Sequence, residues 1–218
     1  GQESAKWIGK CPSCGQWNTF KEIRISNDSG SLAAKSAAHA LTSGFERKNK
    51  PQYLNEISAK DEPRIDMQDE EFNRVLGGGL VPGSIVLLGG EPGIGKSTLT
   101  LQTILKMKER RILYVSGEES AHQIKMRADR IGCDNDVMVF CETSLESIFD
   151  NVKNVKPELL IIDSIQTIYT SDVDSSPGSI TQVTECASAL LRFAKTSGIP
   201  VILIGHINKE GTLAGPKI

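Results

Sequence analysis

No apolar run in the chain approaches the about 18 residues that a membrane-spanning helix requires, and Gly1-Gln2-Glu3-Ser4 lacks the basic and then apolar character of a secretory leader. A soluble chain with no membrane partner is therefore expected. There is also no excess of one charge. The 218 residues carry 25 Lys and Arg against 27 Asp and Glu, a formal net charge of -2. Overall charge thus gives no argument for nucleic-acid binding, and any DNA contact has to be a local patch. A fully paired set of cysteines is missing as well: the total of five is odd, and Cys133, Cys141 and Cys186 are scattered without pairing spacing. That pattern argues against a disulfide framework and for a reducing cytoplasm. No internal repeat is evident. What remains is length for one sizeable domain with appendages.

The most informative stretch is Gly89 to Thr98, GGEPGIGKST. Four residues separate Gly90 from Gly95, and Lys96 and Ser97 follow, which is the spacing of a phosphate-binding loop. Wrapping a di- or triphosphate in backbone N–H groups demands a chain that comes close to the oxygens, and residues without a Cβ allow this. The context agrees. Ile85 to Leu88 is a short apolar run of strand type, and Leu99 to Met107 has helical character. A helix beginning near Lys96 would turn its free N–H groups and dipole toward the phosphates. On this reading Gly90, Glu91, Pro92, Gly93, Ile94, Gly95, Lys96, Ser97 and Thr98 bind ATP. Lys96 reaches the β/γ-phosphates, and Ser97 ligates Mg²⁺.

Upstream, Cys11-Pro12-Ser13-Cys14-Gly15 is a C-x-x-C knuckle. A structural zinc site takes four ligands of this kind, and only two are present in this neighbourhood. Cys11 and Cys14 are either half of a zinc site or a redox dithiol, the second lacking the βαβ pattern that usually accompanies it. Residues 26 to 50 are rich in Ser, Ala and Gly and end in Glu46-Arg47-Lys48-Asn49-Lys50. This composition reads as a linker, its basic end as a solvated face. The expected organisation is a partial zinc-finger segment (1–25), a linker (26–50) and an ATPase core (51–218).

After Pro51 short apolar runs alternate with helical periodicities, the mark of βαβ units on a mainly parallel sheet. Strands are expected near Ile85–Leu88, Ile112–Ser116, Val137–Phe140, Leu159–Asp163 and Val201–Gly205. Thr143 to Glu146 and Ser179 to Gln182 have capping-box spacing. Beyond the second, Val183, Cys186, Ala187, Leu190, Leu191 and Ala194 form one apolar stripe, which makes Cys186 a core residue. Thr170 to Ser179, rich in Ser and Asp, reads as a mobile loop.

Three strand ends carry candidate chemistry. Leu159 to Asp163 is an apolar strand ending in a carboxylate at the sheet edge where ligands of open α/β sheets bind, so Asp163 is expected in the Mg²⁺ shell. Tyr114-Val115-Ser116-Gly117-Glu118-Glu119-Ser120 ends another strand in two carboxylates, and hydrolysis needs a group to orient or deprotonate the attacking water. Glu118 is the first choice and Glu119 the second. The competing reading has Ser116 and Glu119 as a helix capping box. Val201 to His206 ends a third strand, with His206 placed to sense a γ-phosphate. Lys209, in the loop that follows, could reach a phosphate or a nucleic-acid backbone.

Taken together, the knuckle with Gln16-Trp17, Leu76 to Ser84 (LGGGLVPGS), GGEPGIGKST, YVSGEES, Leu159 to Thr167 and GHINKEGTLAGP resemble the bacterial RadA/Sms DNA-repair ATPases over nearly the whole chain. The resemblance implies a RecA-like P-loop core of α/β class with a mainly parallel central sheet, preceded by half of a C4 zinc finger and a linker. It implies a hexameric ring that hydrolyses ATP to move along single-stranded DNA and drives branch migration of branched DNA in homologous recombination, with RecA as partner. It assigns catalysis to Lys96, Glu118 and His206, Mg²⁺ to Ser97 and Asp163, Zn²⁺ in the full-length protein to Cys11 and Cys14, and DNA contact to Lys209. The family's first zinc cysteine pair, its Lys-Asn-Arg-Phe-Gly motif and its Lon-protease-like domain are not in this sequence, so a fragment is expected. Two other classes remain open: a clock-type ATPase that phosphorylates its own chain, and a nucleotide-gated module that loads a partner without moving on DNA.

Overall fold

The structure, a computed structural model, describes residues 51, 53–54, 63–132 and 136–206. The knuckle with Cys11 and Cys14, the linker, Cys133, and the segment containing Lys209 lie outside the described residues.

Five apolar runs form the strands β1 (Ile85–Gly90), β2 (Ile112–Ser116), β3 (Met138–Cys141), β4 (Leu159–Asp163) and β5 (Val201–His206). They pair in the order β1-β5-β4-β2-β3, every pair parallel. All residues of β2 and β4 are buried, as strands covered on both faces require. That is why these segments read as unbroken apolar runs.

The helices are α1 (Glu70–Val75), α2 (Lys96–Lys106), α3 (Ala121–Ile131), α4 (Leu145–Val155) and α5 (Ile180–Ser197). Strand alternation divides the core into two layers. Ile112, Tyr114, Leu159, Ile161, Ile202 and Ile204 face a layer with Leu101, Ile104 and Leu105 of α2 and Ile124 of α3. Leu113, Val115, Leu160, Ile162, Val201 and Leu203 face the layer of α4 and α5. Because the sheet is parallel, the segments leaving β1, β2, β4 and β5 all emerge at one edge, where ligands of such sheets bind.

Local details depart from the sequence reading. Helix α4 is capped by Ser144, whose hydroxyl accepts from the Ser147 N–H, one residue later than the box begun at Thr143. Glu146 reaches instead to Thr170 and Ser171. Ser179 does cap α5 by accepting from the Gln182 N–H, but the Gln182 side chain turns into the core rather than back to the cap. Of the expected stripe on α5, Leu191 is 41% exposed, and Phe193 takes the inward place, its ring 5.3 Å from that of Phe149. Over two turns a 3.6-residue period carries Leu191 past the edge of the buried face. Cys186 is fully buried, and burial pushes its thiol up to about 12.

The loop at 170–179 is closed by internal hydrogen bonds. The Gln182 side chain, 1% exposed, accepts from the Thr170 N–H at 3.0 Å. It also donates toward the carbonyls of Thr170, Val173 and Ser175 at 3.0–3.1 Å.

Candidate functional site

The turn between β1 and α2 is built by local backbone chemistry. Gly93 and Gly95 have φ of +79° and +101°, a region that side-chain-bearing residues rarely adopt. Gly95 is the N-cap of α2 and gives it no side-chain capping bond. The first-turn N–H groups of α2 are therefore left for an outside acceptor. Residues 91 to 95 are exposed, Ser97 is half-buried in the first turn, and Thr98 is exposed. This is an open cradle that fits a phosphate.

Lys96 lies at its base, 7% exposed. Its ammonium donates to the carbonyls of Gly90 and Glu91, each at 2.8 Å, and lies 3.3 Å from His206 Nδ1. An ammonium has no acceptor lone pair, so Nδ1 accepts and the ring proton sits on Nε2. That nitrogen is 3.2 Å from Glu118 Oε1. Glu118 Oε1 also accepts from the hydroxyl of Ser164, a fully buried residue. A continuous chain thus runs from the loop lysine through His206 to Glu118 and Ser164, joining β1, β5, β2 and β4. Gln166 fixes the far side by donating to the His206 carbonyl at 3.0 Å.

Gly117 places Glu118. A Cβ at this position would lie 2.1 Å from Thr167 Oγ1 and 2.6 Å from Thr167 Cβ, so the backbone approaches the segment after β4 as only glycine permits. Its N–H donates to the Asp163 carbonyl at 2.9 Å. Glu119 turns elsewhere and pairs with Arg127 of α3. Glu119 Oε2 and Arg127 Nη1 have no hydrogen-bond partner among the described residues. The expected Ser116 and Glu119 box is only half present: Ser116 Oγ accepts from the Glu119 N–H at 3.0 Å, but the helix begins later. Its capping box consists of Ser120 and Gln123.

Asp163 is 5% exposed at the end of β4. In register, Ser116 pairs with Asp163 and Tyr114 with Ile161, which puts Asp163 on the same face as Tyr114, toward α2. Its Oδ2 accepts from the Tyr114 hydroxyl. Burial, then the charge of Asp163 and the hydrogen bond to it, hold the Tyr114 phenol far above its ordinary value. A buried carboxylate on the α2 side, together with the Ser97 hydroxyl in the first turn of α2, is a donor set that fits hydrated Mg²⁺. Among the described residues no cluster of three or more His, Cys, Asp or Glu could hold a metal by itself.

The structure thus brings Lys96, His206 and Glu118 into direct contact and sets Asp163 on the same sheet edge. Ser164, Tyr114 and Gln166 were not singled out from sequence. The available signals were slight: a hydroxyl directly after a strand-end aspartate, and one tyrosine within a fully buried strand.

Comparison with known proteins agrees with this geometry. Residues 52–212 match a family model described as an AAA domain, and residues 1–22 match one described as a rubredoxin metal binding domain. The whole chain is 47% identical, over 221 aligned residues, to the DNA repair protein RadA of Bacillus subtilis and covers 47% of it. It is 48% identical to the RadA of Halalkalibacterium halodurans and 44% identical to that of Escherichia coli, again covering 47% of each. The chain therefore spans about half the length of the curated relatives it matches. With this sheet, this loop and a match over residues 52–212, the chain belongs to the AAA domain family, and its resemblance to the RadA/Sms proteins extends along its whole length.

Proposed function

We propose that the chain is the ATP-hydrolysing core of a cytoplasmic DNA-repair motor. Gly90 to Thr98 hold the phosphates, with Lys96 exchanging its contacts to the Gly90 and Glu91 carbonyls for β/γ-phosphate oxygens. Charge-assisted hydrogen bonds of this kind are worth about 1.5–3 kcal/mol. Ser97 and Asp163 would hold Mg²⁺, which would supply neutralisation of the charge on the phosphoryl oxygens. Glu118 orients and deprotonates the attacking water. Because Ser164 and His206 both donate to its Oε1, its Oε2 is left for that role. His206 acts as the sensor: departure of Lys96 toward a phosphate removes the donor to Nδ1, and the change is felt at once by Glu118. The observation that carries this reading is the continuous contact Lys96, His206, Glu118.

The names of the relatives support DNA repair as the process. We assign Cys11 and Cys14 to half of a Zn²⁺ site, Lys209 to single-stranded DNA, and the chain to a hexameric ring that promotes branch migration with RecA. ATP turnover of the protein, with and without single-stranded DNA at low salt, tests the reading, with Lys96→Ala as the blank. Stimulation by DNA that vanishes in the blank is expected. Lys96-dependent turnover that ignores DNA would contradict the motor and favour the loading module. Turnover indifferent to Lys96→Ala would contradict the loop assignment.

A further inference from the structure

The hydroxyl of Tyr114 has no packing reason to exist. The residue is fully buried in the middle of β2, where phenylalanine would fill the same space without a polar group to satisfy. Burying a hydroxyl is unfavourable unless it is hydrogen-bonded. The bond it makes is to Asp163 Oδ2. The register explains the reach: Tyr114 pairs with Ile161, and Asp163 stands two residues further along β4 on the same face. A long side chain spans such a diagonal. The bond commits one carboxylate oxygen and leaves Oδ1 free of Tyr114. A carboxylate at a strand end, with torsional freedom of its own, is thereby held in one orientation from below.

We propose that Tyr114 is a positioning residue for the metal-binding carboxylate: its hydroxyl orients Asp163 toward the Mg²⁺ held with the nucleotide. The inference rests on the assignment of Asp163 to the Mg²⁺ shell given above. Outer partners of metal-binding groups commonly contribute 10- to 100-fold in metal affinity or activity. A purely structural role for the hydroxyl would instead lower thermal stability without touching the metal.

The test is binding of a fluorescent ATP analogue titrated with MgCl₂, compared with binding in EDTA, and Mn²⁺ binding in the presence of nucleotide followed by electron paramagnetic resonance. For Tyr114→Phe the expected result is metal-free nucleotide affinity within about twofold of the parent, and a Mg²⁺ midpoint and Mn²⁺ dissociation constant raised about tenfold. Asp163→Asn should shift both at least as far, and the double variant no further than Asp163→Asn alone. A midpoint unmoved in Tyr114→Phe but moved in Asp163→Asn overturns the role of Tyr114 and spares the metal assignment. A midpoint unmoved in Asp163→Asn overturns the assignment itself. Shifts that add in the double variant overturn the inference, because Tyr114 would then act independently of Asp163.

Discussion

Two loops lie at the same edge of the sheet, both rich in small residues, and they are held in opposite ways. The loop at 170–179 is closed from within. Gln182 and Glu146 satisfy its backbone and hydroxyls, and Ser175 and Ser179 donate to carbonyls inside it. The loop at 90–95 has one internal backbone bond, from Ile94 N–H to the Glu91 carbonyl at 3.4 Å, and its carbonyls are pinned by the Lys96 ammonium. Among the described residues the N–H groups of Gly93, Gly95, Lys96 and Ser97 donate to no backbone carbonyl. A loop that must grip an anion keeps its donors uncommitted and fixes its acceptors; a loop that serves the fold commits both.

The comparison is broken most severely by Lys96→Ala, which removes the cation serving the first loop. ATP turnover should fall by about an order of magnitude or more, a loss consistent with one charge-assisted contact, and unchanged turnover would break the account of that loop. Next in size is Gln182→Ala, which leaves buried backbone groups of the second loop without partners. Unsatisfied buried groups cost about 1–3 kcal/mol each, so a loss of roughly 3 kcal/mol is expected. At this chain length that corresponds to a fall in melting temperature of roughly 6–12 °C, with nucleotide affinity unchanged. A Gln182→Ala chain that melts like the parent would show that the second loop is not closed by this side chain.

The smallest effect is that of Glu146→Gln, and it depends on pH. Burial raises the Glu146 carboxyl, but hydrogen bonds from Thr170, its own N–H, Ser144 and Ser171 outweigh burial and leave it below the ordinary carboxylate value. A lowered acid contributes stability above its unfolded value and loses it as pH falls through the folded value. Neighbouring Asp172 is shifted the other way, by burial first and only then by the charge of Glu146, so the part of its shift that Glu146→Gln removes offsets the loss of the Glu146 contribution only in part. Melting followed from neutral to acid pH should therefore fall less steeply for Glu146→Gln than for the parent. Parallel curves would remove Glu146 from the account.

The sequence made legible whatever is encoded locally. The five strands were readable because burial on both faces leaves apolar runs, and the phosphate loop because its φ values demand glycine in sequence. Asp163 and His206 were readable because each terminates a strand at one edge, and Glu118 because it stands two residues beyond the end of another. What escaped was encoded across strands. Ser164 meets Glu118 over 46 positions, Tyr114 meets Asp163 over 49, and Lys96 meets His206 over 110. Such pairs depend on the strand order, with β5 inserted between β1 and β4, which no local pattern specifies. The closure of the loop at 170–179 escaped for the same reason: the residues that close it stand in α4 and α5.

Amide hydrogen exchange with and without ATP and Mg²⁺, resolved to peptides covering 90–99 and 170–179, tests the contrast most directly. The account predicts marked slowing at 90–99 on nucleotide binding, absent in Lys96→Ala, and protection at 170–179 that is present beforehand and does not change. Nucleotide-dependent protection confined to 170–179, or exchange at 90–99 indifferent to nucleotide, would contradict it.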